Sequence, residues 1–317
     1  MPLAQPITPP TSASEPHAGE RRSMPAVALA LAGVAVWSTN ALGADVAFSH
    51  DGLGPVLVAM TAGATAVLVL ARVWESSRGR PGLAVSRRDR AFGLSVGVVG
   101  LGGTLLLQYV GFAYGPLLGT NVISYGWPMF AALALALALR TRHALLGLAF
   151  ALVGFAGVAV MFSDSAGSGG HGPLGYLAAL GSALCMAFYT LAITRVRIPL
   201  LDVLLAGAGT ALAASIAYCI VYWAATGADL KPSPYLLAAL YCGAGPVAGG
   251  YLLWSRAMTA SNGRLAPLGY AIPLLSTCLL LATGQTFAPR TAIGAGLIAA
   301  CIIGVLLADR LSAERHL

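Results

Sequence analysis

The chain of 317 residues is 58% hydrophobic and only 9% charged, with a mean hydropathy of +0.81. Soluble domains carry roughly 25% charged residues, so water cannot be the solvent for most of this surface, and the composition belongs to the membrane class. The net charge of +7 does not mark a nucleic-acid binder, because the basic residues are scattered over short connections with no basic stripe interleaved with aromatics.

Residues 1–23 are rich in Pro, Ser, Thr and Ala and lack the apolar core of a signal peptide, so a disordered tail is expected. Apolar windows of the roughly 20 residues needed to cross a bilayer then follow at 25–48, 53–74, 91–114, 117–139, 144–162, 173–194, 200–225, 234–256, 265–285 and 291–308, with a second tail at 309–317. The windows are continuous and lack the inside–outside alternation of barrel strands. The expected fold is an all-α polytopic membrane protein with ten transmembrane helices. Short links at His50-Asp51-Gly52 and Gly115-Pro116 make the spans they join antiparallel neighbours.

Of the 18 basic residues, 16 fall on one side of such a bundle: Arg21 and Arg22, the six arginines from Arg72 to Arg90, Arg140 and Arg142, Arg195 and Arg197, Arg256 and Arg264, Arg310 and Arg315. Lys231 and Arg290 fall on the other. Positive connections stay in the cytoplasm, so both termini are expected there.

The chain also resembles itself. Tyr125-Gly-Trp-Pro128 in the fourth window matches Tyr270-Ala-Ile-Pro273 in the ninth, 145 residues on. Gly147 and Gly157-Val158 match Gly294 and Gly304-Val305 at an offset of 147. Equivalent windows are five apart, an odd number, so residues 24–162 and 173–308 are expected to form two inverted five-helix repeats. That arrangement is common in secondary transporters, which bind solute near the midplane between the halves.

Ionisable residues at depth would be the first functional candidates, but all five histidines fall in connections or tails and no Lys or Glu lies mid-span. Asp202, near the inner end of the seventh window, is expected to neutralise Arg197. Asp45, near the outer end of the first, is the one candidate for coupling. Without a deep carboxylate, facilitated movement fits better than tight proton coupling. The polar and aromatic residues left at depth are Trp37, Asn40, Gln108, Asn121, Tyr125, Tyr189 and Tyr270, and these are the candidate substrate-binding residues. Burying a neutral polar group without a partner costs about 1–3 kcal/mol, so the amides should face other helices or water. Tyr109 and Tyr251 lie at similar depth, whereas Trp254, close to Arg256, reads as an interfacial belt residue. Pro128 and Pro273 each remove a backbone bond mid-span, and the pair is expected to bend helices for gating. The glycine-rich runs Gly100-Leu-Gly102-Gly103 and Gly243 to Gly250 read as close helix packing. The five cysteines lie in apolar runs without metal-ligand spacing. No disulfide, metal site, cofactor or catalytic residue is expected.

Ten windows, cytoplasmic termini, the mirrored halves and a proline in the fourth and ninth windows together resemble the EamA type of the drug/metabolite transporter superfamily. Tyr251-Leu-Leu-Trp254-Ser-Arg-Ala-Met258, Gly269-Tyr270-Ala-Ile-Pro273-Leu-Leu-Ser276 and Trp37-Ser38-Thr39-Asn40 are similar to YddG-type aromatic amino-acid exporters within it. The resemblance covers residues 25–308. It implies export of amino acids, aromatic and other neutral ones, by alternating access through a central cavity built from both halves. It implies no cofactor, no nucleic-acid partner and no required protein partner beyond membrane lipid, in a monomer or weak dimer. One departure stands out. Many relatives carry Gly-Glu after the fourth and ninth helices, where this chain has Leu139-Arg140 and Gly284-Gln285.

Rival classes lack their residues. An intramembrane protease needs a serine paired with a membrane histidine, a metal hydrolase needs clustered ligands, and a channel needs a filter or charged rings. The alternative to amino-acid export is efflux of drugs, metabolites or lipids by the same scaffold.

Overall fold

The computed structural model describes residues 25–78, 85–115, 117–161, 173–227, 233–282 and 289–313. The expected tail at 1–23 lies outside the described residues, as do Lys231 and the Gly284-Gln285 pair; of the expected tail at 309–317, residues 309–313 continue the last helix and 314–317 lie outside the described residues. Every regular element among the described residues is helical. The α-helices are α1 (Ala26–Ser38), α2 (Asn40–Phe48), α3 (Leu53–Ser77), α4 (Arg87–Ser95), α5 (Gly103–Tyr114), α6 (Leu117–Ser124) and α7 (Trp127–Leu139). They continue as α8 (Arg142–Met161), α9 (Pro173–Ala192), α10 (Leu200–Thr226), α11 (Leu236–Cys242), α12 (Tyr251–Ser261), α13 (Ala271–Ala282) and α14 (Pro289–Ala313). Nine stretches among the described residues are long and apolar enough to cross a membrane, and the expected ninth window holds a shorter apolar helix, Ala266–Leu275.

Several spans are interrupted, and each interruption has a local cause. Between α1 and α2, Ser38 Oγ donates to Val34 O at 2.8 Å and Thr39 Oγ1 to Val36 O at 2.8 Å. Hydroxyls that bond back to the preceding turn in this way bend a helix. The fourth window breaks at Tyr125-Gly126, where Gly126 N donates to Ile123 O. Pro128 then sits in the first turn of α7, where a missing N–H costs nothing. It starts a helix there and does not kink one, which corrects the expected mid-helix bend. The ninth window changes from a 3₁₀ turn at Ala266–Tyr270 to α13, with Pro273 in the first turn of α13.

The two glycine-rich runs are wide π-helical turns, Val96–Gly102 between α4 and α5 and Gly243–Gly250 between α11 and α12, starting 147 residues apart. The second contains Pro246, whose missing N–H favours such widening. The first packs on α10 and the second on α3. The contacts are at backbone distance. A Cβ on Gly207 would lie 2.5 Å from Gly97 O, and one on Gly63 would lie 2.5 Å from Leu240 O. Cβ atoms on Gly97 and Gly243 would overlap Val203 O and Met60 O. Helices α8 and α14 approach in the same manner at Gly157 and Gly294.

Two expected environments are corrected. Asp202 does not pair with Arg197: its Oδ1 accepts from Arg72 Nε at 2.8 Å, tying the start of α10 to the end of α3. Trp254 is not an interfacial residue but fully buried, with its indole N–H donating to Thr190 Oγ1 at 3.4 Å. An indole needs such a partner once it leaves water.

Candidate functional site

A cavity of about 90 Å³ lies inside the bundle, lined from α1, α2, α5, α6, α7, α9, α12, α13 and the π-helical turn before α12. Four of the residues singled out in the sequence meet there: Trp37, Asn40, Gln108 and Tyr125. Tyr109, Thr104, Ser124, Trp127, Ser182 and Tyr251 complete its polar and aromatic wall. No Asp, Glu, Lys, Arg or His is among the lining residues.

The aromatic side is a connected stack. Trp37 meets Tyr251 edge-on at 5.1 Å between centroids and Trp254 at 5.2 Å, and Trp127 meets Trp254 edge-on at 5.3 Å. Each such pair adds about 0.5–1.5 kcal/mol beyond area burial, so the rings hold one another in place and present fixed faces to the cavity.

The polar side divides into satisfied and unsatisfied groups. Thr104 Oγ1 donates to Gly100 O at 2.5 Å and Ser182 Oγ to Thr104 O at 3.0 Å. Their protons serve the backbone, so toward the cavity these hydroxyls can only accept. Asn40 Oδ1, Tyr109 Oη and Ser124 Oγ are buried atoms without a hydrogen-bond partner among the described residues. Buried polar atoms are nearly always bonded; Asn40 and Tyr109 lie within reach of each other, and together with Ser124 they leave polar atoms on one cavity wall open to a polar guest. The wall offers O–H donors from Tyr109 and Ser124 and acceptors at Asn40, Thr104 and Ser182.

The other candidates lie elsewhere. Tyr189 stands behind the wall, fully buried, with Oη 2.7 Å from Ser255 Oγ. Tyr270 is buried against α8, where its ring fills the space a Cβ on Gly154 would need. Asn121 falls on α6, but its side chain lies outside the described residues. Pro128 and Pro273 are buried beside the cavity-lining Trp127 and Ile272. Asp45 is exposed on α2 and does not line the cavity. The described cysteines, Cys185, Cys219, Cys242 and Cys301, are free thiols, and no group of three or more metal-ligating side chains occurs among the described residues.

A bundle of apolar helices around a small uncharged, polar and aromatic cavity is the architecture of a multi-pass membrane transporter. The sequence model of the EamA-like transporter family matches residues 173–307. The aromatic amino acid exporter YddG of Ancylobacter novellus is 31% identical over 231 residues, 68% of this chain and 76% of that protein. A solved crystal structure with 28% identity superposes with a TM-score of 0.71 over 90% of this chain and 98% of its own. The chain belongs to the EamA-like transporter family of the drug/metabolite transporter superfamily.

Proposed function

We propose that the chain exports neutral amino acids, aromatic ones included, by alternating access through the cavity at Trp37, Asn40, Gln108 and Tyr125. The observation that carries this reading is the wall itself: uncharged, lined by aromatic faces, with unpartnered polar atoms at Asn40, Tyr109 and Ser124. An amino-acid zwitterion compensates its own charge. It needs acceptors for its ammonium and donors for its carboxylate, with an aromatic face nearby for the cation. A strong acid or base would need a counter-charge, and the lining holds none.

The scaffold in this proposal is ten spans in two inverted five-helix repeats, with both termini in the cytoplasm of a bacterial inner membrane. Support for the repeat comes from the two π-helical turns and from the matching backbone approaches at Gly97–Gly207 and Gly63–Leu240. The cavity volume of about 90 Å³ is below the roughly 300–1,000 Å³ typical of small-molecule sites, so the walls must part to admit substrate. Movement is facilitated and not tightly coupled to protons, because the cavity wall holds no carboxyl, imidazole or amine group and Asp45 stands away from it. The protein is not an enzyme in this reading, and works as a monomer or weak dimer.

The test is counterflow in proteoliposomes preloaded with unlabelled phenylalanine, threonine or methionine. Labelled amino acid should accumulate transiently, and a protonophore should leave the overshoot unchanged. Failure of every amino acid, together with movement of a dye or lipid, would replace this reading with efflux of another solute class.

A further inference from the structure

A second cleft lies apart from the central cavity, bounded by α7, α8, α14 and the turn that joins α12 to the 3₁₀ segment. Its volume is about 130 Å³. Ala132, Phe150 and Val305 give it an apolar wall, whereas Thr141, His143 and Arg264 stand where helices end. Phe150 lies seven residues along α8 from His143, roughly 10 Å at helical rise, so the cleft runs from a polar mouth into the hydrocarbon zone. Gly147 lines it, and a Cβ there would meet nothing within 4 Å.

The mouth is cationic. Arg264 is positioned by its Nε, which donates to Ser261 O at 3.1 Å. Arg140, in the connection between α7 and α8, and Arg142, the first residue of α8, flank Thr141, and all three are exposed. The Asp309-Arg310 pair that follows Ala308 adds no net charge. A cationic rim over an apolar slot matches one ligand chemistry in both parts. A guanidinium binds a phosphate by charge-assisted hydrogen bonds, and basic pockets between spanning helices take anionic lipid head groups. A free phosphate would leave the slot unused, and a neutral lipid would leave the rim unmatched.

We infer that this cleft binds an anionic diacyl phospholipid of the adjoining leaflet, with its phosphate at Arg264 and one acyl chain passing Gly147 beside Phe150. The turn it contacts leads through the 3₁₀ segment to Ile272, which lines the central cavity. Bound lipid therefore braces the element that walls the transport site.

The full-length protein in micelles doped with phosphatidylglycerol or phosphatidylcholine of identical chains tests this by native mass spectrometry and thermal unfolding. The unaltered protein should retain phosphatidylglycerol preferentially and unfold at a higher temperature with it. Arg264→Gln should weaken that retention about fivefold, the equivalent of about 1 kcal/mol for one cation near anionic lipid. Gly147→Phe, which fills the slot, should abolish the preference while unfolding in phosphatidylcholine at the unaltered temperature. If Arg264→Gln fails to fold, Gly147→Phe alone decides. Equal retention of both lipids by the unaltered protein would overturn the inference. So would an undiminished preference in the Gly147→Phe variant, or an equal thermal shift from inorganic phosphate alone.

Discussion

Asn40 and Tyr189 put a buried polar side chain to two different uses. Ser255 Oγ gives its own proton to Tyr251 O at 2.5 Å, so the 2.7 Å contact with Tyr189 must be donated by the tyrosine hydroxyl. Removing it in Tyr189→Phe should cost about 0.5–1.5 kcal/mol of stability, read as a lower thermal midpoint, with little change in the substrate concentration giving half-maximal counterflow. Asn40 Oδ1 has no partner to lose among the described residues. Asn40→Ala should therefore leave the midpoint nearly unchanged while raising the half-saturating concentration roughly fivefold, the worth of about 1 kcal/mol. The sequence identified Trp37, Asn40, Gln108 and Tyr125 because polar and aromatic groups inside an apolar run need a reason to be there. It could not separate them from Tyr189, since the partner that accounts for Tyr189 sits 66 residues further along. Thr104, Ser124 and Ser182 gave no signal. A small hydroxyl can bond its own helix, so its presence in a span demands nothing of its neighbours. Trp254 was misplaced for a related reason. Nearness to Arg256 in sequence suggests an interface, but the indole turns inward to Thr190.

At the level of the helices, glycine and proline determine where each span departs from regular geometry. The glycine runs are legible as close-packing surfaces. Their π-helical widening is less so: Pro246 marks the second run, but Val96–Gly102 holds no proline, and that the runs lie against α10 and α3 shows only in the folded chain. Gly243→Ala would drive a Cβ into Met60 O, and Gly97→Ala one into Val203 O. Each should destabilise by about 1–3 kcal/mol, the usual cost of overpacking a tight contact. Gly209→Ala on α10 faces open space and should be neutral or slightly stabilising. Comparing folded yield and thermal midpoint of the three variants checks this, and equal midpoints would remove the backbone approach as a packing constraint. The prolines carry a subtler lesson. Pro128 and Pro273 are recognisable as paired features, yet the irregular step comes just before each, at Tyr125-Gly126 and Tyr270-Ala271. A proline in a first turn allows the chain to restart a helix after a break, and sequence alone does not distinguish that from a kink.

Across the whole molecule, membrane character and helix content follow from composition, because 9% charged residues cannot solvate a surface of this size. The count of spans was less legible. The ninth window divides between a 3₁₀ turn and a helix, and its end lies beyond the described residues. The cavity could not be drawn from sequence either, since its wall combines side chains from six windows whose rotations are fixed only by packing. The central claim is that substrate occupies this cavity. The most direct measurement is alkylation of Gln108→Cys in a background with the native cysteines replaced, using a small thiol reagent in proteoliposomes that show counterflow. Phenylalanine should slow modification at the concentrations that saturate transport, and leave a control cysteine at the exposed Asp45 unaffected. An alkylation rate at position 108 indifferent to every transported amino acid would contradict the account.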